Sequence, residues 1–347
     1  MTAHPILVEA LRGGAVESVH RGALAIVDAD GAVHTQLGDI ARPIFPRSAV
    51  KVLQALPLVA SGAAERYGLT NEELALACAS HGGEPRHAAT AAAMLAKAGV
   101  DAAALECGAH WPYHDGSLKA LAAAGQAPSA LHNNCSGKHA GFVCLGCLMA
   151  EKGAQGGDRR AFLRGYVGPG HPVMREVTAA LQAATGCDLA RMPVGTDGCS
   201  IPAHAIPLRQ LALAFARVAT GVGLSAEHAR AATRLRAAVA AAPHMVAGSG
   251  RFDTRLMERL GTRVFCKVGA EGVHCAAIPE LGLGVAIKMD DGNTARACEV
   301  ALAAIIERLL PLEESDASFM RGLSDVGLGN WRGIAVGRLR ATAVLRG

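Results

Sequence analysis

Strand-like patterns lie at both ends of the chain, and helical patterns fill its middle. Near the start, alternation of apolar and polar residues around glycine-containing turns predicts short antiparallel strands at 6–10, 16–20, 22–28 and 33–37. Three further strands are predicted at 263–268, 273–278 and 283–289. Helical spacing of apolar residues and helix-start signals predict helices at 47–60, 70–79, 85–99, 139–151, 171–185, 207–220, 225–241, 253–260 and 293–310.

This order of elements favours the α+β class, with an antiparallel sheet closed by both termini and a helical subdomain between them. We expect a single domain over residues 1–347, with the sheet part at roughly 1–45 and 260–347 and the helical part at roughly 46–259. With 51% hydrophobic residues, the chain can bury a full core. A Gly-rich stretch at 153–170 is predicted to be a surface insertion.

Charge and apolar patterning exclude several classes of function. The net charge is only +4, and no run of Lys and Arg is interleaved with aromatic residues, so nucleic acid is not an expected partner. No uncharged apolar stretch reaches membrane-spanning length, and the first residues lack the features of a secretory signal. The ten cysteines are therefore interpreted as reduced thiols, and a cytoplasmic location is expected.

The most reactive motif is Ser48-Ala49-Val50-Lys51. On a helix Ser48 and Lys51 share one face, and a partly desolvated lysine can accept the proton of the serine hydroxyl. Ser-x-x-Lys is the arrangement of acyl-transfer serine enzymes. Both residue types are common, so the motif by itself is weak evidence of catalysis.

Four other polar stretches interrupt an otherwise apolar chain, namely Ser80–Gly83, Asn133–His139, Gly195–Cys199 and Lys267–Gly272. Lys267-Val268-Gly269 follows a predicted strand, and a Lys-x-Gly strand beside Ser-x-x-Lys resembles the layout of serine β-lactamases and penicillin-binding proteins. Two serines and two lysines in such stretches could form paired Ser–Lys units. Each lysine would then depress its neighbour's pKa, because two nearby ammonium groups disfavour each other.

Two cysteines and a lysine in these stretches admit two interpretations. Cys135 and Lys138 are three residues apart, and Cys199 lies in another glycine-flanked turn. A pair of thiolates can hold a soft divalent ion such as zinc, although lysine must be neutral to coordinate it. The alternative is two buried cysteines and a lysine in a salt bridge.

Polar side chains near the same stretches also have two interpretations each. His81, His110, His132 and His139 could act as general bases, but loop-holding hydrogen bonds are the more common role of such histidines. Asp197 lies beside a possible thiolate and could equally cap a turn.

Taken together, the stretches resemble the asparaginase II family, the zinc-binding L-asparaginases. The matching segments run in the family's order over about residues 5–340: Arg47–Lys51, Ala79–Glu84, Cys107–Pro112, Asn133–Gly141, His171–Pro172, Thr196–Cys199, Val246–Phe252, Lys267–Gly272 and Asp291–Gly292. Each motif is modest, but their joint occurrence is specific. The 153–168 segment looks longer than is usual in the family.

The resemblance implies hydrolysis of L-asparagine to L-aspartate and ammonia on a fold similar to serine β-lactamases and glutaminases, by a homodimer. It implies two catalytic Ser–Lys pairs, Ser48 with Lys51 and Ser80 with Lys267. It also implies zinc held by three protein ligands and water, the ligands being Cys135, Lys138 and Cys199. Four further residues are expected to bind the substrate or support the zinc, namely Arg47, His110, Asn134 and Asp197.

The chemistry expected from the resemblance is an acyl-enzyme mechanism. Ser48, deprotonated through Lys51, would attack the side-chain amide, with Ser80 as the alternative nucleophile. Backbone N–H groups near the serines would hold the oxyanion, and the zinc would position the substrate. The rival functions are another Ser–Lys amidohydrolase, such as a glutaminase or a β-lactam or peptide hydrolase, and a non-catalytic zinc- or amino-acid-binding protein.

Overall fold

The computed structural model describes residues 4–153 and 158–346, so part of the Gly-rich stretch, residues 154–157, lies outside the described residues. Its strands are β1 (Ile6–Arg12), β2 (Ala15–Asp28), β3 (Val33–Leu37), β4 (Pro43–Ile44), β5 (Val194–Thr196), β6 (Pro202–His204), β7 (Ile206–Pro207), β8 (Phe265–Val268), β9 (Val273–Ile278), β10 (Leu283–Met289), β11 (Asp325–Gly329) and β12 (Ala335–Ala341).

The α-helices are α1 (Lys51–Ala60), α2 (Ala63–Arg66), α3 (Asn71–Ala77), α4 (Pro85–Lys97), α5 (Asp115–Ala123), α6 (Ser136–Lys152), α7 (Arg159–Leu163), α8 (Pro172–Thr185), α9 (Leu208–Thr220), α10 (Ala226–Ala241), α11 (His244–Ala247), α12 (Phe252–Leu260), α13 (Glu299–Leu309), α14 (Glu314–Ser324) and α15 (Ala343–Arg346). Short 3₁₀ turns cover Arg47–Val50, Ala102–Ala104, Ala130–His132, Leu189–Arg191, Gly261–Arg263 and Pro279–Leu281, and a π-helical turn covers Thr294–Cys298.

The architecture is α+β, as expected, with one curled antiparallel sheet and helices packed beside it. The strand order is β11-β12-β1-β2-β10-β9-β8, with β3 also paired to β2. Strands from the two ends of the chain are neighbours, since β1 pairs antiparallel with β12 and Glu9 stands opposite Arg340. Strand β8, which begins the second group of strands, lies at one edge of this order.

The predicted strands 16–20 and 22–28 are in fact one continuous strand, β2. Gly22 is therefore not a turn residue. It stands opposite Met289 of β10, and a Cβ at Gly22 would lie only 2.5 Å from the Lys288 carbonyl oxygen. The glycine allows the two backbones to approach closely without interrupting the strand.

Helices between Lys51 and Leu260 build the layer that positions the polar stretches. Helix α1 is buried over nearly its whole length, although Pro57 lies inside it. Helix α6 is also buried through most of its length, which explains its weak amphipathic pattern. Helix α9 packs against β2, β9 and β10 and joins this layer to the sheet. Lys51 and Lys138, at the starts of α1 and α6, are held within apolar surroundings as a result.

The C-terminal part contains elements that were not predicted, α14 and β11. The predicted 293–310 helix begins as a π-helical turn and ends at Leu309. The last strand, β12, pairs with both β1 and β11. Its partners come from distant parts of the chain, so no local pattern indicates its length.

Two further observations concern the state of the cysteines and the hydropathy of the helices. All ten cysteines are buried and none forms a disulfide. Within residues 4–153 and 158–346, no helix combines the length and the hydropathy needed to cross a membrane.

Candidate active site

A cavity of about 340 Å³ opens where the polar stretches meet. Eight of the eleven predicted site residues line it, namely Arg47, Ser48, Ser80, His110, Asn134, Cys135, Asp197 and Cys199. The other three are the lysines Lys51, Lys138 and Lys267, which lie behind the walls with at most 2% of their surface exposed. The structure therefore brings all eleven residues to one place, including residues more than 200 positions apart in the chain.

Ser80 stands at the centre of this arrangement. It follows α3 in an extended loop, where its N–H donates to the Val246 carbonyl oxygen at 2.8 Å. Its hydroxyl oxygen lies 2.8 Å from Lys51 Nζ and 3.0 Å from Lys267 Nζ. One serine hydroxyl is thus shared by two buried lysine amines.

Lys51 therefore contacts a different serine from the one that the spacing suggested. Its Nζ also donates to the Ala79 carbonyl oxygen at 2.5 Å and to Cys135 Sγ at 3.1 Å. No hydrogen bond joins it to the Ser48 hydroxyl among the described residues. Ser48 lies in the 3₁₀ turn Arg47–Val50 that precedes α1, rather than on the helix itself.

Lys267 reaches Ser80 from β8. Its Nζ also donates to the carbonyl oxygen of its neighbour Val268 at 2.8 Å. Burial lowers the pKa of Lys267 to about 7, with Lys51 adding to the effect and the Asp253 carboxylate opposing it. Burial likewise lowers the pKa of Lys51. Near neutral pH, Lys267 can therefore exist as the free amine and accept a proton.

Arg47 supports the neighbouring wall through an ion pair. Its backbone is in the left-handed region, with φ of 48°, which is uncommon for a residue with a side chain. The guanidinium Nη2 lies 3.2 Å from Asp197 Oδ1. Burial would raise the pKa of Asp197, but the charges of Lys138 and Arg47 overcome it and leave the pKa lowered, so Asp197 is a carboxylate.

Cys135, Lys138 and Cys199 form a second polar corner of the cavity. Lys138 Nζ lies 3.0 Å from Cys199 Sγ, and Lys51 Nζ lies 3.1 Å from Cys135 Sγ. The neighbouring Cys199, together with the charges of Lys51 and Lys138, holds the pKa of Cys135 well below its usual range. Burial alone would lower the pKa of Lys138, yet the two sulfurs leave it raised.

This corner fits the donor set that a soft divalent metal requires. It supplies two sulfurs, one of them readily deprotonated, at the inner end of a polar cavity. Lysine is the unusual member, because it must lose a proton before it can coordinate. The corner is also consistent with the alternative interpretation, an ion pair between a cysteine thiolate and the Lys138 ammonium group.

The histidines have structural partners. His110 Nε2 accepts the Asn134 N–H at 2.9 Å, and its Nδ1 lies 2.7 Å from the Trp111 carbonyl oxygen. His81 and His139 are buried and bonded to Ser136 and Tyr166, while His132 accepts the Ser129 N–H at 3.0 Å. These contacts support the loop-holding interpretation over a role as general base.

Three cavity residues were not singled out from the sequence: Tyr113, Arg251 and Thr294. Tyr113 stacks on His110 with ring centroids 4.7 Å apart. Arg251 lies at the start of α12, and its guanidinium makes no ion pair with any residue that the structure describes. The available signal was its place in the Val246–Phe252 segment, which is one of the segments that match the family.

Comparisons with known proteins found one family model and several solved structures. A family model described as L-asparaginase II matches residues 8–341, which is nearly the whole chain. No curated protein matches significantly. Two solved structures of Mglu in its native form, one of them in 4.3 M NaCl, share 14% identity with the chain, with TM-scores of 0.34 and 0.33. The alignments cover 80% and 79% of this chain but only 58% and 61% of Mglu.

Proposed function

The chain belongs to the L-asparaginase II family, and we propose that it hydrolyses the side-chain amide of L-asparagine to L-aspartate and ammonia at the cavity around Ser80. The observation that supports this most directly is the position of Ser80 Oγ between two buried amines, Lys51 Nζ and Lys267 Nζ. A hydroxyl with a neutral amine in hydrogen-bond contact is the arrangement that an acyl-transfer nucleophile requires.

In the first half-reaction, Ser80 Oγ bonds to the amide carbon while its proton moves to Lys267 Nζ. Lys267 is the preferred base because its pKa of about 7 is close to neutral pH. The Ser80 N–H already donates to Val246, so it is not free to bind the oxyanion. Ala270 lines the cavity and its N–H has no partner among the described residues, so we propose it as the better oxyanion donor.

The tetrahedral intermediate then collapses. The C–N bond breaks, the leaving nitrogen takes the proton from Lys267, and ammonia departs. Water attacks the resulting ester and gives up a proton to the lysine, aspartate leaves, and Ser80 regains its hydrogen. Lys51 holds the same oxygen throughout and keeps it directed into the cavity.

Ser48 is the alternative nucleophile, since its hydroxyl lines the same cavity. The described hydrogen bonds favour Ser80, because neither lysine amine is bonded to Ser48. Ser48 would then contact the substrate from the opposite wall.

Charged groups at the cavity suit an α-amino acid. Asp197 is a carboxylate and can bind the α-ammonium group, while Arg251 offers an unpaired guanidinium for the α-carboxylate. Arg47 is already paired with Asp197 and is a weaker candidate for that role. His110 and Asn134 form part of the cavity wall, and the hydrogen bond from the Asn134 N–H to His110 Nε2 holds it in place.

This assignment of Arg251 has a matched control on the same helix. Arg251→Ala should raise KM for L-asparagine about tenfold or more, because a charge-assisted contact is lost. Arg255 lies one turn further along α12 and packs over Phe319, outside the cavity. Arg255→Ala should leave KM unchanged, and equal effects of the two variants would contradict the assignment.

Zinc is proposed as the metal of the second corner, held by Cys135, Lys138 and Cys199 with water as the fourth ligand. When bound, it would supply a fixed positive charge at the inner end of the cavity. We propose that this corner positions the substrate, since the Ser–Lys contacts already supply a nucleophile.

Several finer expectations remain predictions. These are the homodimer, the cytoplasmic location, the lack of nucleic-acid partners, and the likeness to the serine β-lactamase and glutaminase fold with a sheet closed by both termini. A glutaminase or another Ser–Lys amidohydrolase is the second candidate function, because glutamine is only one methylene longer than asparagine and a pocket discriminates such a difference by about 1–3 kcal/mol.

The deciding experiment measures ammonia release by the purified protein from L-asparagine and L-glutamine, with and without added zinc. Ammonia from asparagine alone supports the proposal, and faster release from glutamine supports the second candidate. Asparagine binding without ammonia release would favour a non-catalytic amino-acid-binding protein instead.

A further inference from the structure

Behind β8, away from the cavity wall, Asp253 and His274 form a buried pair. Asp253 lies in the first turn of α12 and His274 lies on β9, with 2% and 0% of their surfaces exposed. Asp253 Oδ1 lies 2.8 Å from His274 Nε2. Neither residue lines the cavity, and the reaction proposed above uses neither.

The second oxygen of Asp253 reaches the strand that carries Lys267. Asp253 Oδ2 accepts the Val268 N–H at 2.9 Å. The carbonyl oxygen of Val268 accepts from Lys267 Nζ at 2.8 Å, and the same Nζ lies 3.0 Å from Ser80 Oγ. Val268 and His274 are also opposite each other in the β8–β9 pair. A short series of direct contacts therefore connects the buried pair to Ser80.

The carboxylate places a full negative charge beside Lys267. Burial would raise the pKa of Asp253, but His274, Lys267 and the Val268 N–H overcome it and leave the pKa strongly lowered. Asp253 in turn opposes the effect of burial on the pKa of Lys267. Without that charge, the buried amine would bind its proton less tightly still.

The pair is not explained by stability alone. His274 Nδ1 is buried without a hydrogen-bond partner among the described residues, and such a group costs about 1–3 kcal/mol. Apolar residues of similar size would avoid that cost. A carboxylate retained under these conditions indicates that its charge and direction matter.

A metal site is the other interpretation of this cluster, because the Cys266 sulfur lies within 4.8 Å of the ligand atoms of Asp253 and His274. Both Asp253 oxygens are already bonded, however, and burial raises the pKa of Cys266 well above its usual range. A protonated thiol and a saturated carboxylate are poor ligands, so the contacts favour a positioning role.

We infer that Asp253, held in place by His274, is a positioning residue that directs Lys267 toward Ser80 and keeps a fixed negative charge beside its amine. This inference rests on the proposed role of Lys267 as the base of Ser80. It predicts that the charge of Asp253, and not merely its size, sets the pH range over which Lys267 works.

The pH profile must be interpreted with all the titratable groups near Lys267 in view. These groups are Asp253 of α12, Lys51 of α1, Cys135 just before α6, Cys78 just after α3, Cys275 of β9 and Cys266 of β8. Asp253 is the only carboxylate of this group. Replacing it therefore removes the one carboxylate charge of the group, while burial, the largest cause of the raised pKa of Cys266 and of Cys275, is unchanged.

The test compares the pH dependence of kcat/KM for L-asparagine in the wild-type enzyme and in Asp253→Asn. The Asn oxygen can still accept the Val268 N–H, so the change is mainly one of charge. We expect the limb on which activity rises with pH to move down by about one pH unit.

Glu299→Gln is the matched control. Glu299 is a partly buried carboxyl near Asp253, and burial raises its pKa, but it has no described hydrogen bond to β8. Its neutralisation should leave the limb in place. A uniform loss of activity in Asp253→Asn with an unmoved limb would show a merely structural role and overturn the inference.

A second variant covers the case in which Asp253→Asn does not fold. His274→Phe keeps a ring beside Phe252 but removes the donor to Asp253, so the buried carboxyl should take up a proton and the limb should move in the same direction. An unmoved limb overturns the inference here too. If the wild-type enzyme is active but the pH limb does not move in either variant, the proposed function survives and only the inference about Asp253 is overturned. If the wild type releases no ammonia, both the proposed function and the inference are overturned.

Discussion

Two sides of the cavity bury the same residue type with opposite results. On the serine side, Lys51 and Lys267 have lowered pKa values, and that of Lys267 is about 7. On the cysteine side, the pKa of Lys138 is raised. All three side chains are essentially inaccessible to solvent, so burial cannot account for the difference.

The difference lies in the partners. Lys138 has two sulfurs that can bear negative charge, and their attraction exceeds the desolvation of its ammonium group. Lys267 shares a neutral hydroxyl with another amine, and the groups that favour its charged form, Asp253, Cys266 and Cys135, do not offset its burial. The serine side is therefore suited to moving protons and the cysteine side to holding charge. We expect the first to control kcat and the second to control KM.

Removing the nucleophile should give the largest effect. Ser80→Ala should lower kcat about 10⁴-fold or more, because the hydroxyl shared by the two lysines is lost. Ser48→Ala is the matched control on the same cavity and should retain most of the turnover. Ammonia release under saturating L-asparagine measures both. Loss of kcat only in Ser48→Ala would reverse the assignment of the nucleophile.

Lysine-to-methionine substitutions should change stability with opposite signs on the two sides. Lys267→Met should raise the free energy of unfolding by about 2 kcal/mol, because an apolar chain replaces a desolvated amine. Lys138→Met should lower it by about 3 kcal/mol, since a buried thiolate loses its cation.

Urea unfolding at pH 7 with a chelator present would measure both values. Loss of stability in both variants would mean that the two lysines are held by the same kind of interaction.

Local signals identified the elements and motifs better than the contacts between them. The helix predicted at 70–79 is present as α3, and a capping box between Thr70 and Glu73 begins it. The strands 273–278 and 283–289 have the predicted bounds. These features depend on neighbouring residues, so the sequence pattern is sufficient to find them.

The partner of Lys51 could not be found in this way. Three-residue spacing pointed to Ser48, but Arg47–Val50 is a 3₁₀ turn and Ser80 approaches Lys51 from a loop 29 residues away. The family resemblance identified the residues that surround the cavity and implied the pairs Ser48–Lys51 and Ser80–Lys267, but it did not indicate the contact between Lys51 and Ser80. The Asp253–His274 contact joins a helix to a strand in the same non-local manner.

Metal removal should affect KM rather than kcat. Chelation should raise KM for L-asparagine about tenfold and leave kcat within about twofold, because the cysteine side is proposed to position the substrate. Cys135→Ser should reproduce this change, whereas Cys147→Ala should not, since Cys147 is buried in α6 away from the cavity. Steady-state kinetics with zinc added back would separate the two constants. Complete loss of kcat at saturating asparagine would contradict a purely positioning role.

The smallest expected effect is the pH dependence of stability, and it tests the serine side alone. Lys267 has a pKa of about 7 when folded and an ordinary value of 10.5, so the unfolded chain binds more protons between these values. Its stabilising contribution is therefore complete above pH 10.5 and is lost as the pH falls to about 7. Between about pH 8 and pH 9, wild type should gain about 1 kcal/mol relative to Lys267→Met. Urea unfolding of both proteins at both pH values measures this difference. Equal changes in the free energy of unfolding of wild type and Lys267→Met would mean that Lys267 keeps an ordinary pKa despite its burial.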